Sequence, residues 1–260
     1  MGQQVEFFQN YDVKGGPHMG RENLPKLQAE IKRLGLTGFL VPHEDEYQNE
    51  YLPDCNERLM WMSGFTGSAG AAIALQETAV MFVDGRYTLQ VKQQVDANLF
   101  SFEPIGDGGM ARWMGENAKS GEIYGYDARL HSPAALKKIN AAAILNGASL
   151  KSLTLNPIDA AWDDRPPLPL SPIRVQPTKF AGKSHSEKRA EIGKAISKQG
   201  ADAALITSPA SIALLLNIRG RDVQCTPLPL STVIIDKSGQ VNFYVAAEKL
   251  TDEVRSHLGN

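Results

Sequence analysis

The stretch "MSGFTGSAGAAIALQETAVMFVDGRYTLQ", residues 62–90, combines a glycine-rich loop, two apolar runs and a turn with two charged side chains. Its glycines, Gly64, Gly67 and Gly70, are spaced G-x-x-G-x-x-G, which differs from the G-x-G-x-x-G dinucleotide fingerprint, and no Gly-Lys-Ser/Thr sequence follows. The next residues, "AAIAL", are typical of a strand, so no helix N-terminus is offered to a phosphate. We therefore interpret the loop as a tight turn leading into a buried strand, with a phosphate-binding loop as the less favoured alternative.

The "VDGRY" turn at residues 83–87 leaves Asp84 and Arg86 projecting from an otherwise apolar element. Two interpretations stay open from the residues alone. The two side chains form an ion pair that rigidifies the turn, or Arg86 binds a carboxylate through its two-pronged guanidinium.

A helix followed by a strand occurs twice in the chain. The segment "NLPKLQAEIKRLGL", residues 23–36, has apolar residues at helical spacing and is followed by the apolar strand "GFLVP". The segment "EKRAEIGKAISKQG", residues 187–200, repeats the pattern and is followed by "AALIT". In both regions two further apolar strands and a helix follow, the helices at residues 87–95 and 248–257. We predict two related α/β domains offset by about 150 to 160 residues, with one large α/β domain as the alternative.

A proline-rich connector lies between the two patterns, with six prolines in residues 157–182. Proline supplies no amide to a ladder and restricts the residue before it, so we expect an extended, semi-rigid segment in which Trp162 packs on a domain surface. The expected organisation is an N-terminal extension, a first domain that includes the connector, and a second domain whose completeness stays open; the respective ranges are 1–20, 21–182 and 183–260.

The composition indicates a soluble globular protein. Hydrophobic residues make up 42%, charged residues 22%, and the net charge is −2, so a basic nucleic-acid-binding face is not indicated. The cysteines, Cys55 and Cys225, form no metal or disulfide pattern. No secretory signal pattern and no apolar run of about 18 residues is present, so we expect a cytoplasmic protein with no nucleic-acid or membrane partner.

The remaining polar motifs do not assemble a catalytic centre. The acidic run "HEDEYQNEY", residues 43–51, is expected to be a solvated loop, with a divalent-ion site as the alternative. The five histidines occur singly, and neither an H-x-x-x-H pair nor a G-x-S-x-G elbow is found. The residues alone therefore predict two α/β domains, with no catalytic and no metal-ligating residue.

Five blocks of sequence, in order, resemble the N-terminal part of aminopeptidase P, the three-domain Xaa-Pro aminopeptidase of the creatinase/prolidase group in peptidase family M24. The blocks are "DEYQNEYLP" (45–53), "WMSGFTGSAGAAIAL" (61–75), "MFVDGRYTLQVKQQVD" (81–96), "IDAAWDDRPPLP" (158–169) and "SIALLLNIRGRDV" (211–223). The resemblance implies two related creatinase/prolidase N-terminal-like domains, each a mixed β-sheet flanked by helices. It also implies a third, pita-bread catalytic domain that is absent from this chain.

In the family the third domain holds two Mn(II) ions that activate water to hydrolyse the bond before proline. None of the family's ligands can be placed here: Asp236 resembles the first, but the position of its partner, eleven residues later, is Ala247. By resemblance this chain is a non-catalytic portion that contributes substrate gating and homodimer contacts to a metallopeptidase acting on proline-containing peptides. The alternatives are a non-catalytic peptide- or protein-binding module of the same fold and, less favoured, a nucleotide-binding enzyme.

The resemblance also assigns roles to individual residues. Arg86 corresponds to the arginine of the family's "DGRY" motif near the peptide-binding cleft, so it is the predicted substrate-binding residue, and Asp84 would orient it. Arg219 and Asp222 of "NIRGRDV" are expected to anchor the second domain to the catalytic domain. Tyr47, Ala210 and Leu214 depart from the residues that are usual in the family.

Overall fold

The computed structural model describes residues 14–259 of the chain, which form two compact units. Within the described residues, the first unit comprises 14–43, 58–128 and 132–163, and the second comprises 44–57, 129–131 and 164–259. The contacts thus divide the chain between residues 163 and 164, whereas the boundary expected from the sequence lies near Gly182. Of the predicted N-terminal extension, residues 1–13 lie outside the described part, and the first helix begins at Pro17.

The first unit is built on a six-stranded mixed sheet. Its strands are β1 (Gly38–Pro42), β2 (Gly70–Leu75), β3 (Ala79–Val83), β4 (Phe100–Pro104), β5 (Ile123–Tyr126) and β6 (Ser149–Ser152). The order is β4-β3-β2-β1-β5-β6; β2 is antiparallel to both of its neighbours, and the other three pairings are parallel. The helices are α1 (Pro17–Arg33), α2 (Arg58–Ser63), α3 (Gln90–Gln94), α4 (Gly109–Asn117), α5 (Pro133–Leu145) and α6 (Pro157–Ala161).

Both faces of this sheet are buried under helices. Met81 and Val83 of β3 belong to the core that includes α1, while Val80 and Phe82 belong to the core that includes α4 and α5. This alternation follows from the strand period of two. On α1, Leu24, Leu27 and Ile31 are fully buried, as their spacing predicts, and each such side chain contributes roughly 1.5–3 kcal/mol to folding. The predicted mixed sheet flanked by helices is confirmed in this unit.

The second unit contains a smaller sheet and a short ribbon. Its strands are β7 (Arg174–Val175), β8 (Ala203–Ile206), β9 (Ile218–Arg219), β10 (Thr232–Asp236) and β11 (Val241–Tyr244), and its helices are α7 (Thr178–Ala181), α8 (His185–Lys198), α9 (Pro209–Leu215) and α10 (Asp252–Leu258). The sheet has the order β11-β10-β8, and β7 pairs with β9. All pairings found in this unit's described residues are antiparallel, unlike those of the first unit. Val233 and Ile235 of β10 are buried in the core with α8 and α9, whereas Leu205 and Tyr244 are more than half exposed.

The two units repeat one order of elements. The series α1-β1-α2-β2-β3-α3 corresponds to α8-β8-α9-β10-β11-α10, in which the short strand β9 is an addition between α9 and β10. Strand β2 begins at residue 70 and β10 at residue 232, which is 162 residues later. The predicted relationship between two α/β domains is therefore confirmed at the level of element order. No element is predicted from the sequence between residues 96 and 156, where the first unit adds β4, β5, β6, α4 and α5.

The proline-rich connector begins with a short helix rather than an extended segment. Asn156 caps α6 by accepting a hydrogen bond from the Ile158 amide. Trp162 is buried and stacks on Trp61, with ring centroids 5.6 Å apart, so the expectation that it fixes the connector to a domain is confirmed. The buried Arg58 adds an ion pair to the partly exposed Asp159 of α6, with 2.7 Å between Nε and Oδ1.

The acidic run is not simply a solvated loop, which corrects the sequence expectation. Asp45 is completely buried. Its carboxylate accepts hydrogen bonds from the amides of Tyr47 and Asn49, at 3.0 and 3.1 Å, and from the side chain of Asn56 at 3.1 Å. The residue organises its own loop by satisfying backbone donors, and acidic composition alone does not reveal such a role.

Candidate functional site

The predicted site residues Asp84 and Arg86 lie together at the end of β3. Asp84 follows the strand in extended conformation and caps a single turn of 3-10 helix, Gly85–Tyr87, by accepting a hydrogen bond from the Arg86 amide at 2.7 Å. The same carboxylate accepts from the Arg86 side chain, with Nε 3.0 Å from both Oδ1 and Oδ2 and Nη2 2.9 Å from Oδ2. The ion pair that would rigidify the turn is therefore present.

The pair keeps the guanidinium oriented while much of it faces solvent. The Arg86 side chain is 65% exposed, against 28% for Asp84. Hydrogen bonding and the positive charge of Arg86 hold the pKa of the Asp84 carboxyl below its usual range. Arg86 also lies over the ring of Tyr87, 5.4 Å from the centroid. The arrangement can present a preoriented cation to a carboxylate or carbonyl oxygen.

The glycine-rich loop supports this turn through packing. Tyr87 meets Phe65 edge to face, with centroids 5.6 Å apart, and its hydroxyl lies 3.0 Å from the Ser68 hydroxyl. A Cβ on Gly67 would lie 2.3 Å from the Phe65 ring and 2.8 Å from the Tyr87 ring, so the close approach requires glycine there. The loop leads into β2, whose first five residues are buried, as the sequence predicted.

The loop is further held by the side chains of α3. Gln94 Oε1 accepts hydrogen bonds from the Thr66 amide at 3.0 Å and from Gln90 at 3.0 Å. Gln94 Nε2 in turn donates to the Thr66 hydroxyl at 2.9 Å. These two glutamines anchor the glycine-rich loop through Thr66, a role that is not predicted from the sequence.

The "NIRGRDV" residues form a separate cluster inside the second unit. Arg219 donates to the carbonyl oxygens of Ala213 and Ile218, at 3.0 and 2.8 Å. Asp222 is buried and accepts from the Leu230 amide and from Lys249 Nζ, both at 2.6 Å. These contacts lie within one unit, and the inter-domain role of Arg219 and Asp222 stays a prediction.

The contacts of two residues near this cluster, Lys249 and Tyr47, are found only in the structure and are not predicted from the sequence. Lys249, whose side chain is 5% exposed, is the ionic partner of Asp222 and lies 27 residues away in sequence, so no local pattern indicates the pair. Tyr47 packs against Ala213, Val223 and the leucines of the same cluster. Burial, together with the nearby carboxylates, raises the pKa of the Tyr47 hydroxyl.

Within residues 14–259, no three or more His, Cys, Asp or Glu side chains are arranged to hold a metal ion. The donor set for a pair of divalent ions is thus not assembled in the part of the chain that the structure describes. Neither cysteine forms a disulfide in the described part of the chain; Cys55 is buried and Cys225 is exposed. Across the described helices, none has the length and apolar character required to span a membrane.

Comparison with known proteins places both units in one family. The family model described as the creatinase/prolidase N-terminal domain matches residues 24–159. A second model with the same description matches residues 164–260. The two matched ranges follow closely the two compact units.

Curated relatives and a solved structure resemble nearly the whole chain. The probable Xaa-Pro aminopeptidase P of Aspergillus niger is 35% identical over 241 residues, covering 92% of this chain and 39% of that protein. The corresponding protein of Sordaria macrospora is 34% identical over 245 residues, with 91% and 39% coverage. The crystal structure of X-prolyl aminopeptidase from Caenorhabditis elegans, described as a cytosolic enzyme with a di-nuclear active site, gives a TM-score of 0.86 at 27% identity and covers 92% of this chain and 40% of that one.

The chain spans about two fifths of the length of these relatives. Its two units repeat the same order of helices and strands. Each unit is matched by a family model with the same description. The chain therefore belongs to the creatinase/prolidase N-terminal domain family.

Proposed function

We propose that this chain is the N-terminal, non-catalytic portion of a cytosolic Xaa-Pro aminopeptidase, a metallopeptidase that removes the residue preceding proline. The observation that carries the proposal is the 35% identity to a probable Xaa-Pro aminopeptidase P over 92% of the chain. The metal ions, which we propose to be manganese, would supply an activated water for attack on the peptide bond. They would be held by residues other than the described ones, because the described residues assemble no suitable group of ligands.

In this proposal the turn of Asp84 and Arg86 gates and positions the peptide. The exposed guanidinium would donate hydrogen bonds to a carbonyl or carboxylate oxygen of the substrate, and Asp84 would limit the side-chain entropy lost on binding.

The same portion would contribute contacts to a homodimer and to its own C-terminal catalytic domain. Mass measurement of the full-length protein by light scattering tests the dimer, and a monomer across working concentrations would refute that part.

The test of the site is an Arg86→Ala variant of the full-length enzyme, assayed on an Arg-Pro-containing peptide with Mn²⁺. Loss of one charge-assisted hydrogen bond of about 1.5–3 kcal/mol predicts a decrease in kcat/KM of about 10- to 150-fold. Arg86→Lys keeps the charge but not the forked geometry, so we expect an intermediate value.

The matched control is Arg33→Ala, which removes another exposed arginine of the first unit, paired with Glu30 at 2.6 Å. Its kinetics should equal those of the wild type. If Arg86→Ala retains the wild-type kcat/KM, the residue is structural and the gating proposal is wrong, while the assignment as an aminopeptidase portion still stands on the activity of the parent enzyme.

A further inference from the structure

The outer edge of β11 in the second unit differs from its counterpart in the first unit. In the first unit β3 has β2 on one side and β4 on the other, with a parallel register from Ala79↔Phe100 to Val83↔Pro104. The corresponding strand β11 pairs with β10, and no strand of the described residues pairs with its other side. The unpaired side of a strand presents N–H and C=O groups that can receive another strand.

A cavity of about 370 Å³ lies beside β11. It is lined by the four residues of β11, by three leucines (Leu216, Leu250 and Leu258), and by two arginines, Arg189 of α8 and Arg255 of α10. No aspartate or glutamate is among the lining residues. The cavity thus combines strand backbone, apolar surface and positive charge.

Arg189 is the unsatisfied group in this cavity. Its Nε atom is buried without a hydrogen-bond partner among the described residues. Leaving a charged donor buried and unpaired is costly, so the site favours an incoming acceptor, and an anionic one most. Arg189 also affects the nearby His185. Burial lowers the pKa of the His185 imidazole, and the neighbouring His257 and Arg189 lower this pKa further.

The first unit shows what occupies the corresponding position. Arg21 is the fifth residue of α1, and Arg189 is the fifth residue of α8. Arg21 Nε donates to the carboxylate of Asp96, which is 8% exposed. Asp96 begins the turn into β4, since its carbonyl oxygen accepts from the amides of Leu99 and Phe100. In the first unit, therefore, an arginine at this helical position holds the strand that covers β3.

We infer that the edge of β11 is a docking site for an extended, carboxylate-bearing segment of the same full-length polypeptide. The segment would add to β11 as a parallel strand, as β4 adds to β3, and its carboxylate would pair with Arg189. Apolar side chains of the segment would cover the three leucines, and Arg255 provides a second positive group beside the same cavity.

The rest of the same polypeptide is the favoured source because relatives of this chain contain much more sequence than it does. The region shared with the Aspergillus niger protein is only 39% of that protein. A covalently attached strand also docks at a high effective concentration and pays a smaller entropic cost than a separate partner.

The test is amide hydrogen exchange in the full-length protein that contains this chain, measured over a dilution series. If a strand covers β11, all amides of Val241–Tyr244 should be protected, as those of the doubly paired strand β3 are in the same sample. An alternating pattern, with only the amides directed at β10 protected, is the signature of an open edge and would overturn the inference. Protection that appears only at high protein concentration would identify a second copy as the occupant and would also overturn it.

Arg189→Ala in the full-length protein tests the ion pair. Losing a charged hydrogen bond should speed exchange of the outward-facing β11 amides by about 10- to 100-fold. The matched control is Lys194→Ala, which removes an exposed cation of the same helix outside the cavity and should leave these rates unchanged. Equal rates in both variants would contradict the role of Arg189. If the Arg189 variant does not fold, the exchange pattern of the wild type still decides the inference.

Discussion

At the scale of single residues, the structure separates two kinds of charged pair that look alike in sequence. Asp84 and Arg86 are two residues apart and partly exposed, whereas Asp222 and Lys249 are distant in sequence and buried. The Asp-Gly turn predicted the first pair because the residues are local. The second pair depends on β10 and β11 bringing their flanking segments together, which no short pattern reports.

The Asp84 pair should be visible in a titration. Because Arg86 holds the pKa of the folded carboxyl below its usual range, the interaction stabilises the folded state above the unfolded pKa of about 3.9. That stabilisation is lost as the pH falls through the lowered, folded-state value. Carbon NMR of the carboxyl group should therefore give a midpoint below the usual range, and Arg86→Ala should move it upward. Identical midpoints in the two proteins would contradict the ion pair.

The buried pair should dominate local stability in the second unit. Asp222 Oδ2 accepts from Lys249 and from the Leu230 amide, and Oδ1 has no partner among the described residues. Lys249→Met would leave the buried carboxylate without its counter-charge, and we expect a loss of about 3–5 kcal/mol in the free energy of unfolding, measured by urea denaturation.

A matched control is available in the same unit. Lys237 pairs with Asp202 at 2.8 Å, but both side chains are mostly exposed. Lys237→Met should cost no more than about 1 kcal/mol because water screens the exposed pair. Comparable losses in the two variants would mean that burial does not set the strength of the Asp222–Lys249 pair.

At the scale of elements, periodicity predicted the repeated core of each unit but not its additions. Strands β1 and β3 and helices α1 and α8 were predicted because their apolar residues have a clear period and glycine follows both helices. The residues from 96 to 156 gave no such prediction, although they supply half of the first sheet. Helix α5 has nine alanine, leucine and isoleucine residues among thirteen, spread too widely to define one face.

Helix packing makes opposite predictions for two helical glycines. A Cβ on Gly193 of α8 would lie 2.8 Å from the Gly239 amide nitrogen and the Lys237 carbonyl oxygen, both backbone atoms that cannot easily move. Gly193→Ala should therefore destabilise the protein by about 1–3 kcal/mol, because overpacking exceeds the gain of about 1 kcal/mol in helix propensity.

Gly115 of α4 is the counterpart with space around it. The nearest atom to its added Cβ is the Cβ of Ala142, 4.0 Å away. Gly115→Ala should stabilise the protein by about 0.5–1 kcal/mol in the same urea experiment. If Gly193→Ala instead stabilises the protein, the backbone of the β10–β11 turn can move away from α8 without a loss in the free energy of unfolding.

At the scale of the whole molecule, resemblance supplied what residue chemistry could not. The residues alone predicted two α/β domains and no catalytic centre, and the order of five sequence blocks identified the family that the comparisons then showed. The activity that we propose requires a group of metal ligands that the described residues do not assemble, so no physical argument from these residues could derive it. What the described residues offer is a positioned cation on one unit and, on the other, a strand edge with which none of them pairs.

Because we propose that this chain is a non-catalytic portion of the enzyme, we expect the 260-residue chain alone to be inactive. Purified with excess Mn²⁺ and incubated with an Arg-Pro-containing peptide, it should release no N-terminal arginine above the buffer control, because the described residues assemble no group of metal ligands that could activate water. The full-length enzyme, at equal molar concentration, should release it in the same assay, and a chelator should abolish that release. Measurable, chelator-sensitive hydrolysis by the isolated chain would place catalytic groups within these 260 residues and would overturn the proposal that this portion is non-catalytic.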